Sequence, residues 1–152
     1  MVAAVSRYVD RTTGFTALVG FGDKQAGSVV PALKRLARES AGSTGYDGQF
    51  YAQMAVDPLL RDPATDRAMD EAPLRARRIL LSWTAYVLGA GRPAWILQAY
   101  ALQNVIAWIA LSFVLRRWFP LASPRGLCLW LLTLFSAGLM FSVRFSLLDG
   151  PS

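Results

Sequence analysis

One carboxylate stands in a stretch of the sequence whose neighbours could support chemistry. In "GSTGYDGQFYAQMAVDP", residues 42–58, a Gly/Ser run leads into Asp47 and an aromatic-rich helical pattern leads out of it. A carboxylate within hydrogen-bond reach of a hydroxyl can take its proton, which is general-base chemistry. Asp followed by Gly and helix-forming residues is also a good helix N-cap. The two interpretations do not exclude each other, so the surrounding elements must distinguish them.

Several common kinds of site are excluded by composition. The chain has no histidine and a single cysteine, Cys128, which lies inside an apolar run. A catalytic triad built on histidine, a zinc site with histidine ligands and a disulfide framework within the chain are therefore ruled out. The N-terminus is not a secretory signal peptide, because Arg7, Asp10 and Arg11 occupy the positions where an apolar region is needed.

Charge divides the chain into two unlike halves. Residues 1–78 hold 11 of the 16 basic and 9 of the 10 acidic side chains, whereas residues 79–152 hold five arginines and Asp149. The net charge of +6 suggests nucleic acid as a partner, but the arginines flank apolar runs and form no stripe with exposed aromatics. We therefore expect no nucleic-acid partner. The sequence favours a polar extracytoplasmic segment over 1–78 and a membrane-like second half, whose partner is the lipid bilayer.

Two apolar runs are candidates for crossing that bilayer. "AWILQAYALQNVIAWIALSFVL", residues 94–115, has no charge and about the 20 residues required, and "GLCLWLLTLFSAGLMFSV", residues 126–143, is slightly shorter. The loop between them, 116–125, carries three arginines and no acid, which predicts a cytoplasmic location. The tail 144–152 then emerges outside. We expect an all-α integral membrane protein with two transmembrane helices and interfacial amphipathic helices.

The segment before the first apolar run leaves one question of topology open. The apolar part of 79–91 is only about 12 residues long, too short to span, which favours an interfacial or half-membrane helix. In that case Asp47 and Asp149 share the extracytoplasmic side; if the segment spans, they lie on opposite sides. Gln98, Gln103 and Asn104 within 94–115 cannot all face lipid cheaply. Hydrogen bonds between helices are the favoured explanation, and a polar groove for a lipid-linked substrate is the alternative.

Further helices are predicted in the polar half. Residues 28–38 read as a short amphipathic helix, and another is expected from Asp47 to about Val56. Asp62-Pro63 is a typical helix start, with Asp as N-cap and Pro at the first position. Pro73 can open a helix that runs to Gly89.

The chain resembles a known family of membrane enzymes. "GYDGQFYAQMAVDPLL" followed by "LRARRILLSWTAYVLG" is similar to the first outer loop of bacterial multi-spanning glycosyltransferases of the C superfamily, within a group linked to cell-surface glycopolymer formation. "GFTALVGFGD" upstream and "RFSLLDGPS" downstream support the likeness, which covers most of the chain. The resemblance implies a multi-pass protein of the bacterial inner membrane that transfers sugar from a polyprenyl-phosphate donor.

The resemblance also implies roles for particular residues. Asp47 matches the acidic residue that acts as base or orients the acceptor. Our own candidates for substrate binding are Tyr46, Gln49, Tyr51, Arg77 and Arg78, the two arginines because they could stabilise the charge on the leaving phosphate. Asp57 and Asp149 are candidate ligands of Mg²⁺ or Mn²⁺, which prefer oxygen donors. The structural alternatives are aromatic packing at the membrane surface, arginines reaching towards headgroups and plain turns at both aspartates.

The sequence departs from that family in its extent. Family members begin with a transmembrane helix before the outer loop and continue with many more after it, so we expect a fragment that works with other membrane subunits. The alternative function is a non-catalytic small membrane protein that serves as an assembly or structural partner. A transporter component is a weaker candidate, because neither apolar run carries a charge within the membrane.

Overall fold

A computed structural model describes residues 9–145, with only the backbone of Ala26. The fold is mostly helical, as expected, with one short parallel pairing of β1 (Phe21–Gly22) and β2 (Glu39–Ser40). Its α-helices are α1 (Gly48–Met54), α2 (Pro63–Arg67), α3 (Ala72–Arg75), α4 (Leu80–Leu88), α5 (Pro93–Leu115), α6 (Pro124–Leu134) and α7 (Ala137–Phe145). Short 3-10 helices cover Thr16–Leu18, Asp23–Ser28 and Ala76–Arg78.

The polar half and the start of α5 share one hydrophobic core. Leu18, Phe21 and Leu33 are fully buried there together with Ile96 and Tyr100 of α5. Burying apolar side chains of this size is the main favourable term in folding. The N-terminal segment is therefore held by the first half of α5, and the two do not form separate folding units.

The predicted helix over 28–38 is wrong, although its apolar face is correct. Val29, Val30 and Leu33 are buried, yet the backbone of 31–36 forms successive turns. Pro31 has no amide hydrogen, and the amide of Val30 donates to Oε1 of Gln53 at 2.9 Å. The chain therefore satisfies its backbone groups through turns and a side chain from α1.

Helices α4 and α5 form a hairpin. The turn between them includes Gly91 in a left-handed conformation, and an added Cβ on Gly89 would lie 2.4 Å from the amide nitrogen of Ile96. Nε2 of Gln103 donates to the carbonyl of Leu81 at 3.0 Å, which places the start of α4 beside the middle of α5. The segment 79–91 thus lies along the first half of α5.

The run 126–143 is one helix in the sequence-based prediction and two in the structure. Helices α6 and α7 meet at an angle of 43° across Phe135 and Ser136. The carbonyl of Leu134, released at the end of α6, accepts a hydrogen bond from Nε1 of Trp108 at 2.8 Å. A side chain that takes part in the backbone hydrogen bonding of a helix is one of the usual causes of such a kink.

One helix in the described part of the chain, α5, is long and apolar enough to cross a membrane by length and composition, and the bent pair α6–α7 supplies a second crossing if it acts as one span. Nε1 of Trp130 donates to the carbonyl of Ser112 at 2.9 Å, so α6 runs antiparallel to the second half of α5. Large apolar side chains are exposed along these two arms, among them Ile106, Phe113 and Leu132.

The amide side chains of α5 form hydrogen bonds within the protein; those of Gln103 and Asn104 reach other helices, as predicted, and those of Gln98 reach the N-terminal segment. Gln98 accepts from the amide of Phe15 at 2.8 Å and donates to the carbonyl of Thr13 at 2.9 Å. Nδ2 of Asn104 donates to the carbonyl of Ser142 in α7 at 2.9 Å. Gln103 of α5 bonds to α4 in the same way, so these three amides attach three different elements to α5.

Candidate functional site

Asp47 lies at the surface directly before α1. The preceding residue, Tyr46, donates its amide to the carbonyl of Gly20 at 3.0 Å, which fixes the end of the Gly/Ser run. Asp47 occupies the N-cap position, but its side chain makes no capping hydrogen bond. The carboxylate is instead 68% exposed. The N-cap interpretation is therefore correct for the position and wrong for the side chain.

The partner of Asp47 is Arg75, a residue that the sequence analysis did not select. Only 8% of Arg75 is exposed, and its Nη2 lies 3.3 Å from Oδ1 of Asp47. The same guanidinium donates to both oxygens of Asp70, at 2.6 Å and 2.9 Å. It also lies over the ring of Phe50, 4.2 Å from the ring centre, a cation–π contact. Arg75 thus links the loop of Asp47 to α3.

The charges in this cluster reinforce one another. Hydrogen bonds to Asp70 raise the pKa of Arg75 further above its already high value. The hydrogen bond from Arg75 lowers the pKa of Asp70. Asp70 therefore accepts two of the hydrogen bonds that the guanidinium donates, and the contact with Asp47 is longer than both. Within residues 9–145, Oδ2 of Asp47 accepts no hydrogen bond and faces water.

An aromatic surface lies next to this carboxylate. The ring of Tyr46 stacks on Phe145 with 3.7 Å between ring centres and meets the edge of Phe141 at 5.7 Å. Tyr46 and Phe141 both remain exposed. Because Phe145 ends α7, these contacts place the loop of Asp47 beside the end of the second apolar run.

Two of the predicted substrate-binding residues are occupied inside the protein. Gln49 is 2% exposed; its Oε1 accepts from the amide of Gly22 at 3.3 Å and its Nε2 donates to the carbonyl of Thr44 at 3.0 Å. Tyr51 is buried in the core, and its carbonyl accepts from Oγ of Ser82 at 2.8 Å. These contacts position α1 and leave Tyr46 as the aromatic group of this set that is open to a ligand.

The two predicted arginines and the first predicted metal ligand have the following places in the structure. Arg77 and Arg78 are exposed on the 3-10 helix that follows Arg75. Oδ2 of Asp57 accepts from the amide of Asp62 at 2.7 Å, which is the turn that the structural alternative predicted.

The described residues do not assemble a divalent-ion site. From residue 9 to residue 145, no three His, Cys, Asp or Glu side chains come together. Asp57 is used in its turn, Asp47 is paired with Arg75, and Asp149 lies outside the described residues.

A missed residue such as Arg75 leaves little trace in the sequence. "LRARR" contains three arginines within four residues, and all three have the same chemistry. The available signal is the pairing with Asp70 five residues earlier, which needs the irregular backbone of 68–71 to be known.

No family model, no curated protein and no solved structure matches this chain.

Proposed function

We propose that this chain belongs to a membrane-embedded sugar transferase of the bacterial inner membrane, which uses a polyprenyl-phosphate-linked donor during assembly of a cell-surface glycopolymer. The observation that carries the proposal is the state of Asp47: one oxygen is held by a buried arginine and the other faces water beside the exposed ring of Tyr46. The resemblance of "DGQFY" and the following "RRILL" to outer loops of such enzymes supplies the substrate class.

The geometry supports a specific division of labour. A hydroxyl of the acceptor forms a bond to the anomeric carbon of the donor sugar, while the bond from that carbon to the phosphate oxygen breaks. The hydroxyl proton passes to Oδ2 of Asp47, and the electron pair of the broken bond remains on the lipid phosphate. Arg75 acts as a positioning residue, because it holds Oδ1 and keeps the carboxylate oriented.

Other groups at this surface suit the two substrates. An exposed aromatic ring, such as that of Tyr46, offers an apolar face to a sugar ring. Arg77 and Arg78 follow Arg75 in the chain and are exposed, so they can stabilise the negative charge that develops on the leaving phosphate. The membrane crossings in this proposal are α5 and the bent pair α6–α7, with Asp47 on the extracytoplasmic side.

The experiment is a pair of conservative substitutions. Asp47→Asn keeps the size of the side chain and removes its basicity, whereas Asp70→Asn weakens the other ion pair of Arg75 and leaves Asp47 ionised. Membranes that carry each variant are supplied with a polyprenyl-phosphate-linked sugar donor, and sugar incorporation is measured. We expect a loss of about 100-fold or more with Asp47→Asn, in the range for general-base groups, and less than about threefold with Asp70→Asn.

Protein amount and unfolding temperature are measured for both variants, so that loss of protein is not mistaken for loss of chemistry. Undiminished sugar transfer with Asp47→Asn would overturn the catalytic proposal. A non-catalytic assembly role would then be the better explanation of this surface.

A further inference from the structure

A second charged cleft lies away from Asp47. It is bounded by the 3-10 helix Asp23–Ser28 and the turns after it on one side and by α2 on the other, with a volume of 520 Å³. Three cationic side chains line it: Lys24, Lys34 and Arg67. The rest of the lining is small or apolar and comes from residues 27–31, Ala64 and Ala68.

The cations of this cleft outnumber the acids near them in the described part of the chain. None of the three cations forms a salt bridge with a carboxylate in the described range, 9–145. The nearest acid in sequence to Lys24 is Asp23, which offsets part of the charge of Lys24 without forming a salt bridge with it. The oxygens of Asp23 accept from the amides of Gly42 and Ser43 at 2.7 Å and 3.1 Å. Asp66 neighbours Arg67 in α2 but does not line the cleft. Cationic groups that line one cleft repel one another, and an anion between them relieves that repulsion.

The walls of the cleft are fixed by the core. Val29 and Val30 are buried, and the amide of Val30 donates to Gln53 of α1. On the opposite wall, Nε of Arg67 donates to the carbonyl of Pro63 at 3.1 Å, which orients the guanidinium while its terminal nitrogens stay available. The backbone of one wall is therefore anchored to the core, and the guanidinium of Arg67 is oriented on the other wall.

Helix α1 separates this cleft from the Asp47 site. Asp47 precedes the first turn of α1, whereas Gln53, which contacts the cleft wall, lies in its last turn. Six residues of α-helix correspond to about 9 Å. The two sites are thus on one folding unit but cannot share a single small ligand group.

We propose that this cleft binds a phosphate-bearing anion, either free in solution or in the headgroup of a lipid. Three cations suit a group with more than one negative charge, and arginine adds a planar fork that matches two phosphate oxygens. A volume of 520 Å³ lies within the range of ligand pockets, so the phosphate can carry a further substituent. The proposal does not depend on the transferase activity.

The test compares two variants that lose equal charge. K24Q/K34Q/R67Q removes the cations of the cleft, and R11Q/R35Q/R61Q removes three exposed arginines that do not line it. The full chain is placed in nanodiscs of zwitterionic phosphatidylcholine and titrated with inorganic pyrophosphate. A second arm replaces part of that lipid with anionic phosphatidylglycerol and omits pyrophosphate. Binding is followed by the rise in unfolding temperature, since a ligand that binds only the folded state stabilises it.

A free phosphate ligand predicts stabilisation by pyrophosphate, and a headgroup ligand predicts stabilisation by phosphatidylglycerol alone. In either arm the cleft variant should bind about tenfold or more weakly, because charge-assisted hydrogen bonds to the phosphate are lost. The control variant should change affinity by less than about twofold. Equal losses in the two variants would show non-specific attraction to positive charge and overturn the proposal, as would no stabilisation in either arm. If the triple variant misfolds, Lys34→Glu alone is used, with Arg35→Glu as its control.

Discussion

Arg75 joins two carboxylates that lie 28 and 5 residues away from it, Asp47 and Asp70, and its guanidinium covers the ring of Phe50. The arginine is buried while both carboxylates remain more than half exposed. Removal of the arginine therefore leaves no carboxylate buried without a partner, and the cost arises from lost hydrogen bonds and lost packing over the ring.

Arg75→Met should lower the free energy of unfolding by about 1–3 kcal/mol, because hydrogen bonds to charged groups and a ring contact are lost together. The free energy of unfolding of Arg75→Lys should lie between those of Arg75→Met and wild type, since lysine keeps the charge without the planar fork. Arg77→Met, at an exposed neighbour, should stay within about 0.5 kcal/mol. Unfolding in detergent or nanodiscs measures all three, and equal values for Arg75→Met and Arg77→Met would show that the cluster is not structural.

The lowered pKa of Asp70 makes a prediction about acid stability. A carboxyl whose pKa is lower in the folded than in the unfolded state stabilises the fold above its unfolded pKa of about 3.9 and loses that contribution as the pH falls below it. Wild type should thus be more stable than Asp70→Asn at pH 7, and the gap should close as the pH falls below about 4. Asp10 and Asp23 also have lowered pKa values, so both proteins should still lose stability in acid. A gap in unfolding temperature that is constant with pH would contradict this role of Asp70.

Sequence reasoning located the exposed carboxylate but could not identify its partner. Asp47 was recognisable because a Gly/Ser run and an aromatic helix surround it. Arg75 was not, because tertiary packing alone decides which of the arginines in "LRARR" turns inwards. Gln49 was selected as a ligand-binding group and is buried in hydrogen bonds to Gly22 and Thr44. The sequence of a short helix does not indicate whether a polar side chain binds a ligand at the surface or forms hydrogen bonds inside the protein.

The α4–α5 hairpin depends on close contact at its turn. An added Cβ on Gly89 would lie 2.4 Å from the nitrogen and 2.6 Å from the Cα of Ile96, which are backbone atoms and cannot rotate away. Gly138, near the start of α7, has nothing within 4 Å of the same position. The two glycines therefore form a matched pair.

Gly89→Ala should lower the free energy of unfolding by about 1–3 kcal/mol, the range for steric overpacking. Gly138→Ala should raise it by up to about 1 kcal/mol, because alanine is the better helix former. The unfolding temperature of each variant tests the pair. Effects of the same sign and size would mean that the contact between the turn and Ile96 does not control the hairpin.

Helix boundaries were largely predictable where end signals are strong. Asp62 caps α2 by accepting from the amide of Ala64 at 2.8 Å, with Pro63 at the first position as predicted. Gly89 ends α4 as predicted, but the single helix expected from Pro73 to Gly89 is divided into α3, the 3-10 helix Ala76–Arg78 and α4. The break between α6 and α7 was not foreseen, because it depends on a donor from Trp108, which is remote in sequence. The helix predicted over residues 28–38 was wrong for a similar reason. Their apolar spacing fits a helix, but the amide of Val30 donates to the side chain of Gln53, which is remote in sequence.

The antiparallel arms of α5 and α6 separate two regions of the molecule. The loop that carries Arg116, Arg117 and Arg125 lies at one end of these arms, and the stacked pair Tyr46–Phe145 joins the Asp47 loop to the end of α7. Across a membrane the two loops would face opposite aqueous compartments, with the arginine-rich one in the cytoplasm.

Single cysteines test that orientation. Cys128 is exposed, so the background variant carries Cys128→Ser. Asp47→Cys should react with a membrane-impermeant thiol reagent in intact cells with a permeabilised outer envelope, and Ala122→Cys in the arginine-rich loop should react only after lysis. The reverse pattern would reject the proposed topology, and equal labelling of both would reject a membrane crossing between them.

Synthesis on the ribosome gives the contacts of Gln98 a consequence for timing. The backbone of Phe15 leaves the ribosome early, but its amide donates a hydrogen bond to the side chain of Gln98, which is 83 positions later in the chain. At about 5–20 residues per second, the delay is about 4–17 s. Throughout that interval the nascent N-terminal segment lacks its contact with Gln98, so a chaperone or a protease has access to it.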